Sequence, residues 1–353
     1  MEYLRNTWYA AIWSQDLKPG ELVARTFLDE PIVLYRKADN SPAALFDVCP
    51  HRFAPLHMGR LCGDDRVRCP YHGLEFDGTG ACVRNPHGSE KIPSMARVRS
   101  YPVVDRHSMV WIWMGDRQAD PATIPDFSML DETSGYQVSR RDWIKMDAGY
   151  ELITDNLLDL SHTAFLHEGI LGSEETIKAE LKMEQRGTQL YLPRSVPNAP
   201  VPGFFDLMFK RDGGRVDLWA DMRWDPPGCF SNDTGVTAPG APRSQGTGIY
   251  GMHFLTPETA TTTYYHFAAA RQNPISWGEP LDSEIRAKIA DLRRFAFEQQ
   301  DQVIIREQQK TMLRLKPEQL RPVLLEIDMG PQRYRQIMRK LMSEERAPQV
   351  AAQ

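Results

Sequence analysis

No stretch of the 353-residue chain approaches the ~18 consecutive apolar residues of a membrane-spanning helix. A basic surplus is missing too. Lys and Arg number 42 against 47 Asp and Glu, a net charge of −5, which argues against a nucleic-acid binder. Cysteine is scarce: five residues, an odd number, do not make the disulfide framework of a small secreted protein. The opening Met1-Glu2-Tyr3-Leu4-Arg5-Asn6 puts charges where a signal peptide builds its apolar segment. These absences lead us to expect a cytoplasmic protein without membrane or nucleic-acid partners. No G-x-G-x-x-G opens a βαβ unit, so no nicotinamide or flavin site is expected in the chain itself.

What is there divides in two. The first third reads as β. Leu22–Phe27, Ile32–Tyr35, Ala43–Val48 and Met109–Trp113 are short runs rich in β-branched and aromatic residues. Asp120–Asp126 reads as a linker, giving expected domains at 1–118 and 119–353. Tyr150–His167 reads as a helix carrying polar residues, and Leu181–Ala270 as mostly strand. Within it, Asp225–Gly248 is rich in Pro, Gly and Ser and is expected to be a mobile loop or lid. Ile285, Ile289, Leu292, Ala296 and Val303 keep helical spacing, so a long amphipathic helix is expected over Leu281–Lys310. A last helix near Pro331–Glu345 precedes a short polar tail.

Between Val48 and Arg84 the periodicity disappears, and Cys, His, Pro and Gly crowd together. Cys49-Pro50-His51-Arg52 is followed by Cys69-Pro70-Tyr71-His72-Gly73. Each loop offers one thiolate and one imidazole. Two Cys and two His could hold a tetrahedral zinc, but zinc sites usually pair like with like, C-x-x-C with H-x-x-x-H. A [2Fe–2S] cluster with two imidazoles on one iron takes one Cys and one His from each loop, and that is the order here. Cys62, Cys82 and Cys229 read as packed thiols; His57, His87 and His107 read as surface or hydrogen-bonded side chains. Arg52, Arg60, Arg66 and Arg68 crowd these loops, either as a solvated face or as a docking surface for a redox partner.

The two loops are the signature of Rieske proteins, and the chain resembles their ring-hydroxylating and O-demethylating oxygenases. The resemblance implies Cys49, His51, Cys69 and His72 as ligands of a Rieske [2Fe–2S] cluster. Such a cluster occupies about a third of the chain, so the remainder needs its own account. Asp155-Asn156-Leu157-Leu158-Asp159-Leu160-Ser161-His162-Thr163-Ala164-Phe165-Leu166-His167 places Asn156, Asp159 and His162 in three-residue steps on one helix face. His162 and His167 can share a metal only if the helix ends or deforms between them, and Gly169 favours an end. Two His and a carboxylate form the facial triad of non-haem iron oxygenases. The other reading is a buried helix whose polar residues satisfy one another.

The resemblance further implies Asp301 on the long C-terminal helix as the third ligand of a mononuclear Fe(II), with Glu298 one turn earlier as competitor. It implies Asp159 as a carboxylate bridging an iron-ligand His and a cluster His of a neighbouring subunit, hence a homotrimer, with Asn156 beside the site. The group it resembles is that of vanillate O-demethylase oxygenases, carried also by Asn6-Thr7-Trp8-Tyr9, Asn85-Pro86-His87-Gly88 and Leu255-Thr256-Pro257-Glu258-Thr259. This implies an α+β fold: an all-β Rieske domain, then a helix-grip domain of antiparallel sheet and long C-terminal helix. The implied reaction is monooxygenation of a methyl or methoxy group on an aromatic acid with O2, O-demethylation to a phenol and formaldehyde being favoured. Methyl hydroxylation of the toluenesulfonate type, or a pure Rieske electron carrier, are the alternatives. Electrons come from NAD(P)H through a separate flavin and ferredoxin-type reductase. His253 and Asn232 fall at polar substrate-contact positions; the competing readings are a core strand histidine and a loop asparagine.

Overall fold

The structure, a computed structural model, describes residues 2–63 and 65–347; the expected polar tail lies outside the described residues. The chain divides into two compact units, one running to Asp126 and including Thr256–Ala260, the other covering Phe127–Leu255 and the chain from Thr261 on. No helix among the described residues is long and apolar enough to cross a membrane.

The first unit is all-β, three small antiparallel sheets. Met109–Trp113 is apolar at every position because it is the middle strand of its sheet, between Trp8–Trp13 and Val103–Arg106, and every residue is buried. Val23–Phe27 and Glu30–Arg36 are joined by Leu28 and Asp29 at φ of 53° and 66°, the left-handed pair of a tight hairpin turn. Thr256–Ala260 belongs here because Leu28 and Asp29 donate their N–H groups to Pro257 and Glu258 carbonyls, each at 3.0 Å.

The third sheet, Arg60–Cys62, Arg66–Arg68, Glu75–Phe76 and Cys82–Arg84, displays the cysteine loops. Val67 faces Phe76 across it and Arg68 faces Glu75. Val67 and Phe76 enter a core that includes Val33, Tyr35, Leu45, Cys49 and Cys69. Glu75 is fully buried, and Arg66, Arg68 and Arg84 converge on it at 3.1, 2.7 and 2.8 Å. Burial alone would raise its carboxyl, but hydrogen bonds from Arg84 and Arg68 hold it below the usual carboxylate range. Arg66 and Arg68 are therefore held by a buried carboxylate rather than being free surface charges. Glu75→Ala leaves three guanidinium groups facing one another. We expect a loss of about 2–4 kcal/mol, somewhat under that of a fully buried pair, because the arginine side chains remain 29–51 % exposed. Thermal melting of the variant checks this, and an unchanged midpoint refutes it.

The second unit is a nine-stranded antiparallel sheet with helices. Its path runs Asp142–Met146, Thr262–Gln272, Thr247–Thr259, Cys229–Thr237, Arg215–Asp225, Gln189–Leu192, Glu184–Arg186. The lid expected over Asp225–Gly248 is half strand: Cys229–Thr237 pairs along its length with Arg215–Asp225 and on its other edge with Thr247–Thr259, and only the turn at 226–228 and the connection at 238–246 are loop. Its glycines mark close packing, not freedom. A Cβ on Gly235 would sit 2.5 Å from the Trp219 ring opposite it, and one on Gly248 2.2 Å from the Thr234 carbonyl. The expected C-terminal helix runs longer, from Leu281 to Arg314, and one π-helical turn over Ala296–Asp301 interrupts it. Ile285 and Ile289 bury its first half against Phe204, Met208, Ile249 and Ala269. The last helix spans Met329–Arg346; its Tyr334 ring meets Trp224 edge-on at 5.1 Å, and Arg335 pairs with Asp155.

Candidate metal centres

The two cysteine loops have one conformation used twice. Cys49 N–H donates to the Ala54 carbonyl and Phe53 N–H returns to the Cys49 carbonyl, both at 2.9 Å; Cys69–Leu74 and Gly73–Cys69 repeat this at 2.8 and 3.2 Å. The fourth residue after each cysteine is left-handed, Phe53 at φ 59° and Gly73 at φ 74°. The result sorts the side chains. Cys49 and Cys69 are 1 % and 2 % exposed within the core. His51 is exposed, His72 half-buried, and their ring centroids are 4.5 Å apart. Sulfur inside and imidazole outside is the asymmetry of a cluster with thiolates on one iron and imidazoles on the other. Burial, reinforced by Cys69, pushes the bare Cys49 thiol up to about 11. His87 Nε2–H donates to the His72 carbonyl at 2.8 Å, and His57 is held by Asp47, so both are hydrogen-bonded side chains. Cys82 and Cys229 are buried thiols.

The second site forms where a helix breaks. Tyr150–Leu158 stops at Asp159, which leaves helical geometry at φ −120°, ψ 89°. A tight turn over Leu160–His162 and a short helix Thr163–Leu166 follow, ending at His167. The continuous helix expected over Tyr150–His167 is thus interrupted, and the interruption lets residues 162 and 167 converge. Gly169, at φ 75°, reverses the chain, and Gly172 packs where a Cβ would lie 2.7 Å from the Thr163 carbonyl. Gly172→Ala pushes on the backbone between the two histidines; iron retention is expected to fall roughly 10–100-fold, the range for disturbed outer-sphere support. Metal analysis after dialysis checks this, and full retention refutes it.

The carboxylate arrives from the π turn, which re-aims the helix face so that Asp301 points inward; such turns concentrate at functional sites. Asp301 Oδ1 lies 3.2 Å from His167 Nε2 and 3.6 Å from His162 Nε2. The three ligand atoms all fall within 4.8 Å of one another. Neighbouring ligands on metal bonds of about 2.1 Å stand about 3 Å apart, so one face of an octahedron fits. Both imidazoles have the other nitrogen occupied: His162 Nδ1–H donates to the Asp159 carbonyl at 2.5 Å, His167 Nδ1–H to Gln300 Oε1 at 2.8 Å. This leaves each Nε2 lone pair for a cation. Burial lowers the His162 imidazole; at His167 burial is outweighed by the Asp301 hydrogen bond and it is raised. Asp301 Oδ1 also accepts from Asn156 Nδ2 at 3.0 Å, while its Oδ2 is buried without a hydrogen bond. An orphaned, buried carboxylate oxygen beside two oriented imidazoles fits a cation. Glu298 instead pairs with Arg294 at 2.9 Å.

Asp159 differs in detail from the expectation. It meets His162 through its main-chain carbonyl; carboxylate Oδ1 is taken by Ser161 N–H and hydroxyl at 2.9 and 2.5 Å.

A cavity extends from the triad into the sheet, and both Asn232 and His253 line it. Asn232 Oδ1 is buried without a partner. His253 Nδ1 and the Tyr265 hydroxyl share a hydrogen bond at 2.8 Å, and burial drives the imidazole well below the usual value. Phe297 and Arg293 of the long helix complete that wall. The sequence reading missed Gln300, Tyr265 and Arg293. Arg293 alone left a signal, a charge four residues after Ile289 on the apolar stripe.

Residues 146–344 match the family described as vanillate O-demethylase oxygenase C-terminal domain, and residues 7–102 match the Rieske [2Fe-2S] domain. The chain is 34 % identical to the oxygenase component of dicamba O-demethylase from Stenotrophomonas maltophilia, over 98 % of this chain and all of that one. It is 35 % identical to the iron-sulfur subunit of the toluene-4-sulfonate monooxygenase system of Comamonas testosteroni, over 97 % of this chain and 98 % of that one. Among solved structures, dicamba monooxygenase bound to 3,6-dichlorosalicylic acid superposes with a TM-score of 0.90 at 33 % identity, covering 98 % of this chain and 99 % of that one.

Proposed function

From the premise that the chain belongs to the Rieske oxygenases with a vanillate O-demethylase-type C-terminal domain, we propose that it is the oxygenase component of a monooxygenase acting on an aromatic acid. Its favoured reaction is O-demethylation, in which a methoxyarene, O2, two electrons and two protons give a phenol, formaldehyde and water. The observation that supports this most is the pairing in one chain of two Cys–His loops with a two-His, one-carboxylate face opening on an arene-sized cavity. Cys49, His51, Cys69 and His72 would hold the [2Fe–2S] cluster, and His162, His167 and Asp301 the mononuclear iron. When bound, these groups supply stored electrons and the activation of dioxygen.

The chain's own residues do the rest. Asp159 and Gln300 orient the two imidazoles through Nδ1. Asn156 holds the Asp301 oxygen by an N–H. Phe297, Phe204 and Leu218 give the cavity apolar walls that exclude water and accept a ring. Asn232 and His253 set polar groups among them. We place Asp159 on the route between subunits of a homotrimer, its Oδ2 left to receive a neighbour's cluster imidazole. A separate flavin and ferredoxin-type reductase supplies electrons from NAD(P)H, in the cytoplasm.

Purified protein is expected to carry three irons and two acid-labile sulfides per chain, with a red-brown colour. Coupled to a surrogate reductase, it should release formaldehyde from a methoxybenzoate. Two irons per chain after anaerobic ferrous loading would reduce the protein to an electron carrier. Resemblance to the toluene-4-sulfonate system supports a second outcome of the same assay, a benzylic alcohol from a methylarene with no formaldehyde.

A further inference from the structure

We propose that Arg293 is the anion anchor of the cavity, taking the carboxylate or sulfonate of an arene at the end away from His162, His167 and Asp301. This rests on reading that cavity as the substrate site.

Arg293 is 6 % exposed and lines the same cavity as the triad. Its guanidinium carries five N–H donors. The chain engages one nitrogen, Nη2, on the Ala268 carbonyl at 2.9 Å. The Phe267 and Phe297 rings flank it, with centroids 5.6 and 5.9 Å from Cζ. No carboxylate forms an ion pair with it among the described residues; Asp142, whose charge it feels, is already bound by Arg140 at 2.9 Å and Arg294 at 3.4 Å. Burial lowers its basicity to about 10, so it stays charged at neutral pH. A desolvated cation without a counter-ion is costly to keep, and a fold that needs only packing at this place uses leucine or methionine. The missing partner is supplied if an anion enters the cavity.

The surroundings suit an oxyanion. Tyr265 occupies His253 Nδ1, so Nε2, beside Gly251 on the cavity wall, is the ring nitrogen open to a ligand, and it is a donor in the tautomer whose Nδ1 accepts from the Tyr265 hydroxyl. Gly251 gives it room: a Cβ there would sit 3.3 Å from Nε2. His253 is kept neutral by burial and then by the Arg293 charge itself, so the site holds one cation and one neutral imidazole. Arg293 stands eight residues before Asp301 on the same long helix, about two turns away, and both line one cavity. The guanidinium and the triad therefore reach one cavity from different turns of that helix, as a ring with an anionic group at one end requires. Phe204, Phe205 and Phe297 line the same cavity and give a ring apolar surface.

The test measures binding, not turnover. Full-length protein loaded with both metal groups is titrated calorimetrically, under nitrogen and without reductase, with 4-methoxybenzoate, 4-toluenesulfonate and the neutral 4-methoxybenzamide. Wild type is expected to bind the two anions roughly 10–100-fold more tightly than the amide, the range for a charged hydrogen-bonded contact. Arg293→Gln should erase that preference while leaving amide binding within twofold, and Arg293→Lys should restore part of it. In steady state the Gln variant should raise KM far more than it lowers kcat. Equal wild-type affinity for amide and carboxylate overturns the proposal, whether or not any variant folds. So does an equal loss for all three ligands in Arg293→Gln, which would mean a packing role. A charge preference without any oxidised product would instead defeat the proposed function and leave the anchor standing.

Discussion

An Asp301→Ala protein is expected to stay red-brown and to lose oxygenation. The carboxylate is the sole anion of the triad, at 3.2 and 3.6 Å from the two Nε2 atoms. Two imidazoles alone leave a doubly charged cation without charge compensation in a buried site. Iron should fall from three to two per chain, and turnover by at least ~10³-fold, beyond the 10–100-fold typical of outer-sphere changes. Dithionite should still bleach the cluster as in wild type, because the cysteine loops are untouched. The iron-free variant should lose little stability: removing the carboxylate orphans the Asn156 and His167 donors but also removes an Oδ2 that is buried without a hydrogen bond. Asn156→Ala, which removes the N–H on Oδ1, belongs to the milder class. Retained product formation in Asp301→Ala, or loss of colour, would refute the assignment.

The cysteine loops were legible in sequence because their chemistry is local. Each needs a Cys, a His two or three residues on, and a chain reversal, all within six residues. The histidine pair was half legible. Asn156, Asp159 and His162 follow helical spacing, but His167 does not, and only the break at Asp159 reconciles them. That break needs no glycine or proline; the Asp159 carboxylate makes it by capping Ser161. Asp301 became readable only through the family resemblance, since the π turn shifts the buried face: Val303, expected on the apolar stripe, is exposed and Ile305 is buried instead. Asp225–Gly248 misled for a related reason. Glycine in a strand signals flexibility when read alone, whereas Gly235 exists to admit the Trp219 ring. Arg293 was hidden by its type: a long cation on an amphipathic helix reads as solvent-facing unless its exact place on the stripe is weighed.

Cluster removal is expected to weaken the N-terminal unit, and more so in alkali. Cys49 and Cys69 belong to its core, beside Val67, Phe76 and Leu45. Ligation ties two loops that otherwise meet through main-chain bonds at their necks, so part of the binding energy of the cluster is folding energy of this unit. Cys69→Ser should lose the colour, two of three irons, and hydrogen-exchange protection across residues 49–76. The pH dependence follows from Cys49. Without iron its thiol is pushed up to about 11 from an ordinary 9 by burial. The folded cluster-free chain therefore holds that proton more tightly than the unfolded chain does. Its contribution is fully present below pH 9 and is lost as pH rises through 9 to 11. In loaded protein the sulfur is already an iron-bound thiolate, so this loss should be absent. Denaturant titrations of loaded and iron-stripped wild type at pH 7 and pH 10 decide the matter. A wider stability gap between the two forms at pH 10 is expected, and parallel behaviour would mean that the cysteines contribute to the core only as packed apolar groups.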